Sequence, residues 1–377
     1  MAEGIRPIVM PKWGLAMTEG TVVAWHAGEG SDLAAGDDLL DIETTKITNV
    51  FESPVAGPLR RVVVPEGAVA PVGALLGIVA EAAVPDDAID AFIAEFNETF
   101  AAAAAAAEAE AGAPEPQTLH VAGVPITYLR MGPDGGASIV LVHGFGGDLN
   151  NWLFTQPVLA ERHDVIAVDL PGHGRSGKDV GTGDMAALAT SLGGLLDGLG
   201  VERPHIVGHS MGGALGLVFA LANPRRVAGL TLLAPSGLGP EINMDYIEGF
   251  IGAGRRKEMK GALAMLFADP DLVSRDMVNE VLKYKRLDGV DAALRRLADG
   301  LFPGGRQTPI PAEDLGRLDV PVQAVWGRED RILPAAHGSA LPERATLYVL
   351  DGVGHMPHME RAAEVNALID AFVSGEA

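Results

Sequence analysis

Ser210 stands at the centre of HIVGHSMGGALG, with Gly208 and Gly212 two residues to either side. A G-x-S-x-G segment that follows an apolar run and opens a helix puts its serine on a sharp strand-to-helix turn. Small flanking residues leave the hydroxyl exposed there. A hydroxyl is a weak nucleophile and needs a base, which in turn needs a group to orient it. The order nucleophile, acid, histidine is met by Ser210, Asp330 in WGREDRILP and His355 in LDGVGHMPHMER. Asp330 and His355 each follow an apolar run, so both are expected just past the C-terminal ends of strands, where open α/β sheets place their sites. His337 and His358 are rival bases and Asp351 a rival acid; they read better as surface or supporting residues. Charge developing on an attacked carbonyl oxygen needs fixed donors. The Gly-rich turn of VHGFGGDLNNW and the start of the helix after Ser210 supply the expected pair, the backbone N–H groups of Phe145 and Met211.

A second reactive group lies far upstream. Lys46 sits in ETTKITN, between an apolar run ending at Ile42 and another starting near Ile47. A hairpin tip would present its amine to solvent, where a covalent carrier arm could be attached. The pairing of such an arm with an acyl-transfer serine implies that the substrate arrives bound to the protein itself.

The elements that must position these groups fall into two grammars. Residues 5–82 are short apolar runs separated by Gly, Pro and Asp, an all-β pattern. The region also repeats itself: Glu29-Gly30 recurs as Glu66-Gly67, Gly36 as Gly73, Leu39 as Leu76 and Ile42 as Val79, all 37 residues apart. Two similar halves of this size predict a small β-sandwich with internal two-fold symmetry. Residues 86–100 read as a helix opened by acidic residues. Ile89, Phe92, Ile93, Phe96 and Phe100 form its apolar stripe, which should dock onto an adjacent domain or a partner chain. An Ala/Glu/Pro-rich linker follows, helical by propensity in its first half and extended at its Pro-containing end. From about residue 118 apolar runs alternate with helical patterns, the form of a mostly parallel sheet wrapped by helices. Between residues 240 and 312 the alternation gives way to helices rich in Arg, Lys and Met, as expected of an inserted lid. Arg255, Arg256 and Lys257 within it are candidates for phosphate contacts.

Bulk properties narrow the function classes. The chain has 377 residues and a net charge of −22, which argues against nucleic acid as a partner. Residues 84–118 alone hold eight acidic residues and no Lys or Arg, a self-repelling segment. The absence of cysteine removes disulfides, thiol nucleophiles and thiolate metal sites. The most apolar long window, 206–222, contains His209, Ser210 and four glycines, so a buried strand and helix explain it better than a membrane span. MAEGIRPIVMPKWG has no signal-peptide stretch. A cytoplasmic protein without metal or membrane partner is the expectation.

MPKWGLAMTEGTVVAW, ETTKITN, and glycines Gly30 and Gly57, placed 16 before and 11 after Lys46, resemble the lipoyl domains of 2-oxo acid and acetoin dehydrogenase complexes. The related biotinyl domains carry Met on both sides of the modified lysine, where this chain has Thr45 and Ile47. Thr45 is also a departure from the Asp usual in lipoyl domains. HGFGG, DLPGHGRS, GHSMGG, GREDRI and GVGHMPHMER, in that order, resemble the α/β-hydrolase superfamily. The expected architecture is therefore multidomain: a lipoyl/biotinyl-like β-sandwich over 5–82, an acidic helix and linker over 83–117, and an α/β-hydrolase fold over 118–377 with its lid. This combination resembles the acetyltransferase components of acetoin dehydrogenase complexes. The resemblance implies lipoate attached to Lys46 and coenzyme A as co-substrate. It also implies a thiamine-dependent acetoin-cleaving subunit and dihydrolipoamide dehydrogenase as partners, and a homo-oligomer. The chain lacks the H-x-x-x-D-G motif of the usual acyltransferases of 2-oxo acid complexes, and its acidic linker holds no basic peripheral-subunit-binding domain. The alternative is a stand-alone α/β-hydrolase, cleaving an ester, thioester or C–C bond, with a carrier domain appended.

Overall fold

The computed structural model describes residues 4–13, 17–44, 48–110, 114–133 and 135–375, with 102–110 described by backbone alone. The chain divides into two compact units, the first 113 residues making one and nearly all of the rest the other.

The N-terminal unit contains β1 (Ile5–Val9), β2 (Glu19–Trp25), β3 (Asp32–Leu33), β4 (Asp38–Glu43), β5 (Thr48–Glu52), β6 (Gly57–Val62), β7 (Val69–Pro71) and β8 (Leu75–Ala80). They form two antiparallel sheets, ordered β1-β8-β6-β3 and β5-β4-β2-β7. Ile8, Leu59, Leu76 and Val79 of one sheet share a core with Val22, Leu39, Leu40 and Ile42 of the other. The 37-residue repeat has a physical counterpart. The Trp25 N–H donates to Glu66 Oε1 at 2.8 Å, and the Val62 N–H donates to Glu29 Oε1 at 2.9 Å. Likewise Gly30 N–H reaches Leu59 O and Gly67 N–H reaches Val22 O, both at 2.7 Å. Each half thus closes the other by the same bonds, and the paired core positions Leu39/Leu76 and Ile42/Val79 are all fully buried.

Glu43 of β4 pairs with Thr48 of β5. Lys46 falls between these antiparallel strands and lies outside the described residues. Gly57 has a φ of +125°, a backbone conformation that a residue with a Cβ rarely adopts.

The helix α1 (Asp86–Glu110) continues ten residues past its apolar stripe, into the first half of the linker, where the sequence favours helix. Ala is the best helix former, and the run of Ala and Glu continues the helix up to the Gly and Pro at its end. Its stripe docks on the sandwich that precedes it: Ile89, Phe92, Ile93 and Phe96 pack with Ile5, Leu75, Ile78 and Ala80. Arg60 lies 2.8 Å from Asp86, and Arg61 3.6 Å from Asp90.

The second unit carries β9 (Gln117–Val121), β10 (Val124–Met131), β11 (Ser138–Val142), β12 (Asp164–Val168), β13 (His205–His209), β14 (Gly229–Leu233), β15 (Val322–Gly327) and β16 (Thr346–Leu350) in one sheet. The order is β16-β15-β14-β13-β11-β12-β10-β9, with β9 and β10 the antiparallel edge. The strands β12, β13, β14 and β15 are buried at every residue, because helices cover both faces of the parallel part. The helices are α2 (Gln156–Leu159), α3 (Met185–Gly198), α4 (Met211–Ala222), α5 (Met244–Gly252), α6 (Arg256–Leu263), α7 (Arg275–Lys285), α8 (Val290–Leu301), α9 (Ala312–Gly316), α10 (Pro357–Glu360) and α11 (Ala362–Ser374). Between β14 and β15 come α5 to α9, of which α5 to α8 lie within residues 240–312. The chain leaves β11 toward β12 on one side and returns to β13 on the other, so a topological switch point opens at the C-terminal ends of β11 and β13.

Candidate active site

Ser210 lies at that switch point, immediately after β13. Its φ of 52° and ψ of −115° are strained for a residue with a Cβ, as a nucleophile elbow requires. The turn is pinned by the Ser210 N–H on Leu233 O at 2.9 Å and by the Ser236 N–H on Ser210 O at 3.0 Å. Gly208 and Gly212 are dictated by contact: a Cβ on Gly208 would meet Gly212 O at 2.4 Å, and one on Gly212 would meet Val142 O at 2.2 Å.

Asp330 follows β15 and His355 follows β16, as the apolar runs implied. The Asp330 carboxylate is fully buried and fully paired. Oδ2 faces His355 Nδ1 at 2.8 Å and accepts from Trp326 Nε1 at 3.0 Å. Oδ1 accepts the N–H groups of Ile332 and Leu333 at 2.8 and 2.9 Å. An acceptor of this kind holds the histidine with its hydrogen on Nδ1, leaving the Nε2 lone pair free to accept a proton. The loop carrying His355 is clamped by the Glu360 carboxylate, which accepts the N–H groups of Gly354 and Met356, while His355 N–H reaches Leu266 O at 2.7 Å. Burial raises the Glu360 pKa, and those backbone donors pull it back.

Three supporting groups escaped the sequence reading. His209 is the residue before Ser210, and its Nε2 donates to the His355 carbonyl at 2.8 Å. Its ring lies between those of His355 and His358, each centroid 4.8 Å away. Burial, followed by the neighbouring His355 and His358, drives its pKa well below the usual value, so it acts as a neutral donor. His143 fixes the other side of the site. Its Nε2 accepts from Leu170 N–H at 3.0 Å, which leaves the hydrogen on Nδ1 for Gly144 O at 2.7 Å. That carbonyl and the Phe145 N–H belong to one planar trans peptide and point in opposite directions. Anchoring the oxygen therefore aims the Phe145 N–H away from His143. Burial holds His143 down at about 4, in the neutral state this requires. The Tyr246 hydroxyl donates to the Phe145 carbonyl at 3.1 Å. Gly144 abuts Ser210: a Cβ there would stand 3.0 Å from that of Ser210. Met211 opens α4, and the first N–H groups of a helix have no intrahelical partner. The sequence signals for the histidines were present, in HGFGG and GHSMGG, but their partners lie elsewhere in the chain.

The rival groups are engaged otherwise. His337 faces Glu241 at 2.8 Å, His358 is buried behind His209 against Trp152, and Asp351 pairs with Arg328 at the surface. Arg255 precedes α6, whose start is capped by Glu258. Among the described residues no cluster of metal-ligating side chains occurs, and no helix is long and apolar enough to cross a membrane.

A serine elbow, a buried Asp–His pair and a parallel sheet with a helical insertion define an α/β-hydrolase fold, and the family model described as alpha/beta hydrolase fold matches residues 137–362. A second model, described as biotin-requiring enzyme, matches residues 6–79, the lipoyl domain. The meta-cleavage product hydrolase of Pseudomonas fluorescens IP01 shares the fold, with a TM-score of 0.63 and 23% identity, over 69% of this chain and 98% of that one. Two relatives span both domains. The dihydrolipoyllysine-residue acetyltransferase components of the acetoin cleaving systems of Cupriavidus necator and Pseudomonas putida are each 46% identical, over 98% of this chain and 98% of theirs. The chain belongs to that family of acetyltransferase components, and it is an acyltransferase.

Proposed function

We propose that this protein moves an acetyl group from a lipoyl thioester to coenzyme A, with Ser210, His355 and Asp330 as the catalytic set and the Phe145 and Met211 N–H groups as the oxyanion hole. The observation that carries the reading is the buried Asp330–His355 pair, four donors on one carboxylate, at the same sheet edge as the Ser210 elbow. Lys46 fits as the attachment point, because the strands that bracket it pair up to Glu43 and Thr48. When bound there, lipoate supplies a dithiol at the end of a long arm. The relatives' membership of an acetoin cleaving system supports a thiamine-dependent partner that loads the acetyl group and a dihydrolipoamide dehydrogenase that reoxidises the dithiol.

His355 Nε2 takes the Ser210 proton as Oγ attacks the thioester carbonyl. The two N–H groups receive the charge on the carbonyl oxygen. Collapse breaks the C–S bond, and His355 returns the proton to the leaving thiol. The same base then deprotonates the coenzyme A thiol, which takes the acetyl group from Ser210 and restores the hydroxyl. In the shorter route His355 deprotonates coenzyme A directly, and Ser210 only donates a hydrogen bond to the tetrahedral centre. Incubation with acetyl-dihydrolipoamide alone, followed by peptide mass spectrometry, separates them: acetyl on Ser210 supports the first route, its absence the second. Acetyl-dihydrolipoamide with and without coenzyme A tests the function. Acetyl-coenzyme A as the main product is expected. Acetate released at the same rate in both tubes would make the protein a hydrolase. Intact-mass measurement should show one lipoyl adduct, lost in Lys46→Ala.

A further inference from the structure

A cavity of about 670 Å³ runs along α4, wholly within the second unit. Met211, Ala214, Val218 and Ala222 line one side of it. They are spaced three and four residues apart, one stripe of the helix that rises about 16 Å at 1.5 Å per residue. At one end three of its lining residues adjoin the proposed catalytic set, while Ser210, His355 and Asp330 themselves are not in the lining. Met211 is itself the second oxyanion residue. The Phe302 ring, in the opposite wall, lies edge-on to the Phe145 ring with centroids 6.1 Å apart. Ser236, also in the lining, donates its N–H and its hydroxyl to the Ser210 carbonyl at 3.0 and 3.3 Å. At the other end Ala222 is exposed.

The lining discriminates between the two substrates. Its charged members are Asp184 and Asp314, and it contains no Lys or Arg. Coenzyme A carries several phosphate charges, which two carboxylates repel and which nothing in this groove pairs. A neutral aliphatic chain meets no such cost and buries its methylenes on Ala, Val and Leu side chains. We infer that the α4 groove seats the donor, a lipoyl-type aliphatic arm, and that coenzyme A reaches Ser210 by another way. The inference rests on the proposed function and adds to it the assignment of one substrate to one cavity.

The test uses the full-length chain with Lys46→Ala, so that no attached arm competes. Calorimetry measures binding of free dihydrolipoamide and, separately, of coenzyme A. In this background Val218→Trp fills the groove midway and Ala222→Trp crowds its exposed mouth. Each variant is compared by melting temperature first; Ala222→Trp, at a solvent-facing position, keeps the experiment decisive if Val218→Trp is poorly folded. The dissociation constant for dihydrolipoamide should rise tenfold or more, and that for coenzyme A should stay within twofold. In the lipoylation-competent chain the same variants should raise KM for acetyl-dihydrolipoamide and leave KM for coenzyme A. Unchanged dihydrolipoamide binding in a folded variant, no measurable binding before substitution, or a loss confined to coenzyme A would each overturn the assignment. Loss of dihydrolipoamide binding supports it even where acetate proves to be the product, so failure of the transferase reading is told apart from failure of this one.

Discussion

At the scale of single residues, the proposed catalytic set should behave as a unit. Ser210→Ala, His355→Ala and Asp330→Asn should each lower turnover by roughly 10³-fold or more, and a double variant should lose little beyond the worse single one. Turnover near the unsubstituted level in His355→Ala would refute the set. His209→Ala should leave the fold intact and lower turnover by about fivefold, the worth of one hydrogen bond of about 1 kcal/mol to the His355 carbonyl; an unchanged rate would show that Glu360 and Leu266 hold the loop alone. The placement of Ser210, Asp330 and His355 past strand ends was legible in the sequence because each follows its own apolar run. His209 and His143 were not, for a physical reason. Their value lies in contacts closed only by folding, His209 with a carbonyl 146 residues away and His143 with an N–H 27 residues away. Nothing in HGFGG or GHSMGG says that a histidine there is a backbone clamp rather than a ligand or a base.

At the scale of elements, the parallel strands and the insertion between β14 and β15 were readable because period and length differ between a buried strand and an amphipathic helix. The internal symmetry was readable too, down to Glu29 and Glu66, although their reciprocal bonds to Val62 and Trp25 were not. A 37-residue offset states equivalence and leaves the partners unstated. Helix propensity in the first half of the Ala/Glu run carries α1 past residue 100, but a run without an apolar stripe carries no sign of where helix yields to linker. What the stripe of α1 does is now specific. Ile89 is fully buried against the β1–β8 face. Ile89→Ala should destabilise the N-terminal unit by about 2–5 kcal/mol through the cavity it leaves. Differential scanning calorimetry on the full chain should show the transition of that unit shifted down and the other unchanged. A shift below about 1 kcal/mol would mean that the helix packs loosely.

At the scale of the whole molecule, pH acts through histidines that the fold holds neutral. Burial pushes His143 to about 4 and His205 and His358 to about 3, and it takes His173 and His209 well below their usual value. Each has a folded pKa below its unfolded value near 6.5. The unfolded chain therefore binds protons that the folded one refuses, and stability present above pH 6.5 is lost as the pH falls. Two terms oppose this. Burial raises Asp169 to about 7 and raises Glu360 as well, which favours the folded state at low pH and costs stability as pH rises toward neutrality. Titration toward the isoelectric point of about 4.7 also relieves the repulsion of a chain with net charge −22. Five depressed histidines against two raised carboxyls leave acid destabilisation the larger effect on the specific groups, at about 2 kcal/mol at pH 5 for each of His143, His205 and His358. His205 isolates it, since it lies at the start of β13, bonded to Thr231 at 2.9 Å and remote from the elbow at the strand's other end. Urea unfolding of the full chain at pH 7 and pH 5 should show a smaller drop between the two for His205→Gln than for the unsubstituted protein. The difference should be about 2 kcal/mol, whatever the variant's stability at pH 7. Equal drops would mean that His205 takes up its proton in the folded state.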